Sequence, residues 1–431
     1  MNNLTQKKFR EMSQEERLEY IRKKTRLEDK EITLFSNTSI FGFEDVNKMI
    51  ENAIGVFQIP LGIANNFVIN DKEYLIPMAT EEPSVIAAAS NAAKIVKETG
   101  GFKAKADKSI MIGQIQLVCF NNKDTSSIDE LTKTIIKIKP DLIKIANTKS
   151  KFAKCIDIGI RHVNDESINN LGLMTIIELF IDTKDAMGAN VVNTMCESIA
   201  PKIESLTEGQ VILKILSNYA TSRLVRCKGI FPKALIGGEK VIKRILFAYA
   251  FAYSDIYRAV THNKGIMNGI DSIAIATGQD FRAIESACHA YACKDGRYRS
   301  LTKWYENSNG DLVGEIEIPL AVGIIGGITN IHPLAKTCLK ILGVVNSQEL
   351  AMIISAVGLA QNFSAIRALA DEGIQKGHMK LHSKNIAKIA GALNDQIKLI
   401  SQQMINEGNI SVSRAKEIIE NINKTNIQHN N

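Results

Sequence analysis

The run IMIGQIQLV, residues 110–118, opens the stretch that decides the fold, because from here to Leu216 the hydrophobic spacing switches between strand and helix periods in a definite order. This run alternates as a strand, and SIDELTKTIIKIKPDLIKIAN (127–147) is mostly helical. CIDIGIRHV (155–163) follows as a strand with Ile156, Ile158 and Ile160 expected on one face, and LMTIIELFID (173–182) as another. A helix across AMGANVVNTMCESIAPKIESL (186–206) and the strand QVILKIL (210–216) close the unit. The order βαββαβ predicts a split βαβ, ferredoxin-like sandwich and hence an α+β protein. No GxGxxG follows any of these strands, which disfavours a Rossmann dinucleotide site.

Towards the N-terminus, Ser13-Gln14-Glu15-Glu16 is a capping box opening a helix through Arg22, and residues 43–55, ending in ENAIG, read as another helix. From Ile63 to Met78 the alternation broken at Asn70-Asp71-Lys72 predicts a β-hairpin. It leads to Glu81-Glu82-Pro83-Ser84, with Pro83 expected in the first turn of the helix SVIAAASNAAKIVKETGG. Towards the C-terminus, the pattern predicts one long helix from Glu239 to His262 and a strand in GDLVGEIEIP (310–319). Helices follow over Pro333–Leu342 and Ser347–Asp371, then two short ones between Ala392 and Asn423 and a disordered tail, KTNIQHNN.

With 431 residues the chain can build two or three domains, and 45% hydrophobic with 23% charged residues is ordinary for a globular protein. The best membrane-span candidate, VIKRILFAYAFAYSDIY, is broken by Lys243, Arg244 and Asp255, and no run reaches the ~18 residues a span needs. The first twenty residues hold no hydrophobic signal core, so a cytoplasmic protein without a membrane is expected. Seven cysteines without CxxC spacing point to reduced thiols. The net charge of +7 is spread along the chain with few aromatics interleaved. That argues against nucleic acid and suits a polyanionic small molecule such as coenzyme A or a dinucleotide.

Polar groups concentrate in YRAVTHNKGIMNGIDSIAIATGQDFRAIESACHAYA, 257–292. Lys264, read as a loop residue, lies beside Gly265 and Gly269, which let a backbone approach a ligand, and beside Asn263 and Asn268. Asp280 follows across the apolar IDSIAIATG, so the ammonium and the carboxylate could meet in a dry place. An exposed loop lysine and a helix-capping Asp280 fit the same residues. Adjacent acids such as Glu81 and Glu82 at a helix start serve its dipole, and an arginine such as Arg258 often makes only a surface ion pair. Asp185 to Asn190 reads either as an anion-binding helix start or as an Asp-capped, tightly packed one. His378 and His382 are four apart, but HMKLH has no glutamate after its first histidine and no third ligand at a usual spacing, so no metal is expected. A histidine just after Gly377 suits a mobile general acid.

THNKGIMNGID and ATGQD resemble the hydroxymethylglutaryl-coenzyme A (HMG-CoA) reductases, specifically the soluble bacterial class II. EEPS, DAMGANVVN, VGIIGGITNIHP and GHMKLHSKN agree with that family in the same order, with ENAIG a weaker match, from about residue 40 to 395. The resemblance implies a helix-rich large substrate domain in two parts (1–108 and 219–375), an inserted small NAD(P)-binding domain (109–218) and a C-terminal helical flap (376–431). It implies Glu82, Lys264, Asp280 and His378 as catalytic residues, Ser84, Arg258 and Asn268 as substrate contacts, and Asp185, Met187, Gly188, Asn190 and Asn193 as cofactor contacts. It also implies a homo-oligomer built from dimers, with active sites at the subunit interface beside ENAIG. NADH-preferring members carry an aspartate after an ANxK stretch. Here ANTKSK places Ser150 between Lys149 and Lys151, which favours NADPH over NADH because lysines attract a 2′-phosphate.

The expected reaction is four-electron reduction of HMG-CoA to mevalonate and coenzyme A, or its reverse. Lys264 would steady the oxyanion, and His378 would protonate the departing thiolate. Glu82, held protonated in a dry site, would be the acid at the aldehyde oxygen, with Asp280 bridging Lys264 and Glu82. A different coenzyme A chemistry using Cys288 as nucleophile is disfavoured, because Cys288 and His289, as helix neighbours, point apart. A nucleic-acid-binding sheet would need exposed aromatics that IMIGQIQLV and CIDIGIRHV lack.

Overall fold

The computed structural model describes residues 9–35, 41, 43–118, 125–207, 209–371 and 383–429. His378, His382 and the GHM stretch therefore lie outside the described residues. In chain order come α1 (Gln14–Lys24), α2 (Asp29–Leu34), α3 (Phe43–Met49), β1 (Leu61–Ile69), β2 (Lys72–Ala79), α4 (Val85–Lys97) and β3 (Lys103–Ala106). Next are β4 (Ile110–Val118), α5 (Thr125–Asn147), β5 (Lys154–Asn164), β6 (Leu173–Asp182), α6 (Ala189–Glu204) and β7 (Gln210–Ser217). Then follow β8 (Leu224–Phe231), α7 (Lys233–Ile236), α8 (Gly238–Ser254), α9 (Ile256–Ala276), α10 (Phe281–Tyr291), β9 (Thr302–Glu306) and β10 (Leu312–Pro319). Last are α11 (Ile328–Ile331), α12 (Pro333–Leu342), α13 (Ser347–Ala370), α14 (Ile397–Glu407) and α15 (Val412–His429).

The local signals act as their chemistry dictates. Glu16 N–H donates to the Ser13 hydroxyl at 3.2 Å while Ser13 N–H donates to the Glu16 carboxylate at 2.8 Å, the reciprocal bonds of a capping box. Between β1 and β2, Asn70 (φ 49°) and Asp71 (φ 68°) both adopt the left-handed conformation of a two-residue hairpin turn. The Asn70 amide then reaches across to the Ala104 backbone with two bonds of 2.9 Å, tying the hairpin to β3.

Among the described residues the strands form the sheets β1-β2, β3-β8-β10-β9 and β5-β6-β4-β7, all with antiparallel neighbours. One hydrophobic core surrounds α13 and joins α4, α8, α9, β8 and β10; a second lies between β4–β7 and the helices α5 and α6. A third, small core binds α14 and α15 through Ile400, Met404, Ala415 and Ile418. Helix α13 is apolar enough over 24 residues to qualify as a membrane span, contrary to the expectation that no run reaches that length. With 83% of its apolar window buried, it is a core helix.

Other differences have local causes. Helix α3 stops at Met49, short of Gly55, and Asn52 takes a left-handed φ of 54° that no α-helix can hold. Pro83 precedes helix α4, whose N-cap is Ser84 in a left-handed conformation (φ 78°). A bulge between Cys155 and Asp157 turns Ile156 out to 52% exposure while Ile158 stays buried, so the three isoleucines do not share one face. Helix α6 begins at Ala189, three residues later than expected, after the αL residue Gly188. The predicted helix Glu239–His262 is two: Asp255, extended at φ −118° and ψ 128°, ends α8 and caps α9 by accepting from Arg258 N–H at 2.8 Å. The tail is helical to His429 rather than disordered.

Candidate active site

Lys264 stands mid-way along α9, not in a loop. The glycines that suggested a loop serve packing: a Cβ on Gly269 would come within 3.0 Å of the Gln361 Cβ and 3.2 Å of Val357, both on α13. This close approach of two helices turns Lys264 and Asn268, one turn apart, towards the segment between β2 and α4. There Glu82 accepts from Lys264 Nζ at 3.1 Å and from the Asn268 amide at 3.4 Å on one carboxylate oxygen, Oε2. The Glu82 N–H is anchored on the Thr80 hydroxyl at 3.2 Å. Ser84, two residues on, has a strained backbone and a buried hydroxyl with no hydrogen-bond partner among the described residues. Arg258, six residues before Lys264 on α9, is half-buried, and burial lowers its guanidinium from the usual value. It has no carboxylate partner among the described residues.

Two parts of the expectation fail within one chain. The Lys264 and Glu82 side chains are 62% and 37% exposed among the described residues, so within these residues their meeting place is not dry. Asp280 does not reach Lys264: from Lys264 to the helix end at Ala276, α9 runs about 18 Å. Asp280 instead caps α10, accepting from Ala283 N–H at 3.1 Å, and pairs with Arg282 at 3.3 Å. Asn263 is likewise structural, fully buried with bonds to the Arg299 carbonyl and the Leu301 N–H.

The second group of candidates lies at the start of α6. Gly188 (φ 100°) precedes the helix without a side-chain cap, and a Cβ there would collide with Thr183 at 2.4 Å, so only glycine fits. Val192 N–H makes the first helical bond, to Gly188 O, which leaves the N–H groups of Ala189, Asn190 and Val191 without helical acceptors. Such a start fits a phosphate-bearing cofactor. Asn190 is exposed beside it and Met187 packs behind it on the second core. Asp185 and Asn193 are used by the fold: Asp185 accepts from Ser347 N–H at 2.9 Å and Asn193 from Leu216 N–H at 2.8 Å. Ser150 closes a turn, its hydroxyl accepting from Phe152 and Ala153 N–H. The register pairs Lys154 with Asp182, so Ser150 and the Asp185–Gly188 turn stand at the same end of the sheet.

Asp280 is joined to this second group. Its neighbour Gln279 donates to the Gly323 carbonyl at 2.9 Å and accepts from the Gly323 N–H at 2.8 Å, and Gly323 abuts Met187 N so closely that a Cβ would stand 2.5 Å away. The chain thus brings Glu82, Lys264 and Asn268 together, with Ser84 two residues from Glu82 and Arg258 on the same helix as Lys264, and sets Asp280 with Asp185–Asn190 in another place.

Residues 13–383 match the family model described as hydroxymethylglutaryl-coenzyme A reductase. The chain belongs to that family. Among similar proteins, the HMG-CoA reductase of Archaeoglobus fulgidus is 48% identical over 415 residues, covering 96% of this chain and 94% of its own length. A probable HMG-CoA reductase of Borreliella burgdorferi is 38% identical over 78% of this chain and 77% of its own. Among solved structures, a class II HMG-CoA reductase of Streptococcus pneumoniae bound to NADPH in open conformations superimposes with a TM-score of 0.79 and 36% identity. The likeness covers 96% of this chain and all of that one. The present chain is accordingly a class II HMG-CoA reductase-family oxidoreductase, whose reaction is the reduction of HMG-CoA to mevalonate with NAD(P)H.

Reading motifs missed one polar cluster. Asp271 on α9 is largely buried against Glu285 of α10, and its carboxyl is pushed up to about 8, first by burial and then by that neighbour. Glu285 bonds His289 at 2.9 Å, and His289 bonds Tyr298 at 2.7 Å. A charged residue inside an otherwise apolar IDSIAIA was the available signal. The cysteine-nucleophile alternative gains nothing: Cys288 is fully buried, burial drives its thiol pKa up, and His289 is occupied on another face.

Proposed function

We propose that the chain reduces HMG-CoA in two hydride steps at a site shared between two copies, one supplying Glu82, Lys264, Asn268, Ser84 and Arg258 and the other Asp280 with the Asp185–Asn193 segment. The observation that carries this reading is the convergence of Lys264 and Asn268 on Glu82, two residues before a buried Ser84 hydroxyl without a hydrogen-bond partner among the described residues. Support for a second copy comes from the apolar surface around the same helix: Phe247, Phe251, Tyr257 and Val260 are 50% or more exposed, as are Ile54 and Phe57 after α3. A copy covering that face would exclude water and bring an Asp280 to each Lys264.

When bound, a reduced nicotinamide dinucleotide would be held by the Asp185–Asn193 segment and would supply the hydride for a carbonyl carbon. Lys264 Nζ carries the charge that steadies the oxygen of the thioester as it becomes anionic. Arg258 takes the free carboxylate of the hydroxymethylglutaryl group in a bidentate grip, and the Ser84 hydroxyl and Asn268 amide complete its orientation. His378 protonates the thiolate leaving the mevaldyl thiohemiacetal and so prevents its return. Glu82 then gives a proton to the aldehyde oxygen in the second reduction, and Asp280 ties Glu82 and Lys264 into one coupled acid–base group.

The finer architecture belongs to the same reading. The large domain is residues 1–108 and 219–375, the small cofactor domain 109–218, and the flap 376–431; the separate cores around α13, within β4–β7 and between α14 and α15 support the division. The strand order β5-β6-β4-β7 with two crossover helices supports a ferredoxin-like cofactor domain. Lys149 and Lys151, exposed beside Ser150, support NADPH as the preferred cofactor. Six free cysteines among the described residues accord with a reducing, cytoplasmic setting. The test is the loss of nicotinamide absorbance with HMG-CoA: two NADPH should be consumed per coenzyme A released, and none consumed would overturn the reading.

A further inference from the structure

Arg223, in the turn before β8, has no part in the assignments above, yet its residue is only 4% exposed and burial pulls its guanidinium down to about 10. Its Nη1 donates to the Thr183 hydroxyl at 3.4 Å, the Ala186 carbonyl at 3.3 Å and the Met187 carbonyl at 3.5 Å, and its Nη2 to the Val322 carbonyl. All four acceptors are neutral. The nearby acids are otherwise engaged, Asp185 with Ser347 N–H and Asp182 with Lys184. Asp185 and Asp182 act on the guanidinium only through their charges, and among the described residues no carboxylate bonds it; a guanidinium buried in this way is costly, and stability alone is a poor account of it.

The contacts bracket one element. Thr183, Ala186 and Met187 form the turn between β6 and α6, and Val322 heads the segment that abuts it, where Ile324 N–H donates to the Asp185 carbonyl at 2.8 Å. The carbonyl and N–H of one peptide unit point in opposite directions. Drawing the Ala186 and Met187 carbonyls onto the guanidinium therefore turns the N–H groups of Met187 and Gly188 away from it. Helix α6 starts one residue later with its own unbonded N–H groups, and a fixed cation behind that start has the same sign as the helix dipole there.

We propose that Arg223 is a positioning residue for the reduced nicotinamide dinucleotide: without touching the cofactor, it orients the Asp185–Gly188 turn and adds a permanent positive charge behind it. This rests on the assignment of that turn to the cofactor. The test compares full-length R223M, R223K and N190A with the parent, by the KM for NADPH, the KM for HMG-CoA and thermal unfolding, with kinetics run well below each midpoint. R223M should raise the NADPH KM at least tenfold and leave the HMG-CoA KM within twofold. R223K, which keeps the charge without the fork, should recover part of the loss. Equal rises in both KM values, or a lowered midpoint with an unchanged NADPH KM, would overturn the role. Should R223M not fold, R223K is judged by the same split, with a threefold rise in the NADPH KM as the criterion. A raised NADPH KM in N190A but not in R223M overturns the role of Arg223 alone; no change in either overturns the cofactor assignment and the role with it.

Discussion

Replacing Lys264 with methionine keeps the aliphatic stem on α9 and removes only the charge, which separates the chemical role of the ammonium from its part in the fold. Its ion pair with Glu82 spans 3.1 Å between side chains that are 62% and 37% exposed, so solvent screens it and its contribution to stability is under about 1 kcal/mol. Methionine and lysine are nearly equal as helix formers, and Glu82 retains the Asn268 amide and the Thr80 anchor. The unfolding midpoint of K264M should therefore move by less than about 4 °C. The effect on chemistry is of another size, because losing a preplaced donor to a developing oxyanion costs about 3–4 kcal/mol, or roughly a hundred- to a thousandfold in kcat. Stopped assays with HMG-CoA, and separately with free mevaldehyde, should show that fall in both half-reactions. A kcat within tenfold of the parent in either assay, or a fall accompanied by a comparable collapse of the midpoint, would refute the reasoning.

His378→Gln should suppress HMG-CoA reduction by at least about a hundredfold while sparing reduction of free mevaldehyde, which has no thiolate to protonate; equal losses in the two assays would remove His378 from that step. Ser150→Asp sets a carboxylate at the same end of the sheet as the turn proposed for the cofactor, and the ratio of kcat/KM for NADPH to that for NADH should drop at least about tenfold; an unchanged ratio would place the 2′-phosphate elsewhere. Asp271 gives a pH signature. With its carboxyl at about 8 in the fold against an ordinary value of 3.8, the folded chain keeps a proton that the unfolded chain releases, so this group's contribution to stability falls as pH rises from about 4 to 8 and levels off above. Discounted for partial solvent access, the fall is of order 2 kcal/mol, and D271N should abolish it. The lowered pKa of Glu285 acts at more acid pH, outside this window. Denaturant unfolding of both proteins at pH 5 and pH 8 decides, and parallel pH dependence would sink the attribution.

Long periodic segments such as IMIGQIQLV and Pro333–Leu342 were legible to the residue, because each packs one continuous face on a core. The strands β3, β8 and β9 were not. Their sheet turns Lys103, Lys105, Arg226, Lys228 and Lys303 outward, so KAKA and TKWYE carry little apolar alternation. The break at Asp255 was hidden because the apolar spacing runs on through YSDIY, and only the capping bond to Arg258 N–H reveals it. For the site, Glu82 and Lys264 stand 182 residues apart, a pairing that residue types left open and the resemblance supplied. Asp280 shows the limit: both the capping reading and the catalytic one were available, and within one chain its bonds are those of a cap.

The misreading of KGIMNG as a loop bears on how the fold could serve catalysis. Adjacent helix residues point about 100° apart, so His262 and Asn263 must face elsewhere than Lys264. They face inward, where His262, its pKa pulled down to about 3 by burial and by the Arg258 charge, is a neutral ring bonded to Thr302 at 2.9 Å and Asn362 at 3.1 Å. Asn362 also accepts from the Trp304 indole at 2.9 Å, and Gly269 and Gly358 let α9 and α13 approach at the next two turns. Sliding or rotating α9 would strand several buried polar groups at once, which is costly enough to fix its register. A lysine on the solvent face of such a helix has a stem that begins at a fixed point even though its tip is exposed. Preorganisation of Lys264 is thus a property of the buried His262–Asn362–Thr302 network behind it, and the glycines contribute by closeness of packing rather than by flexibility.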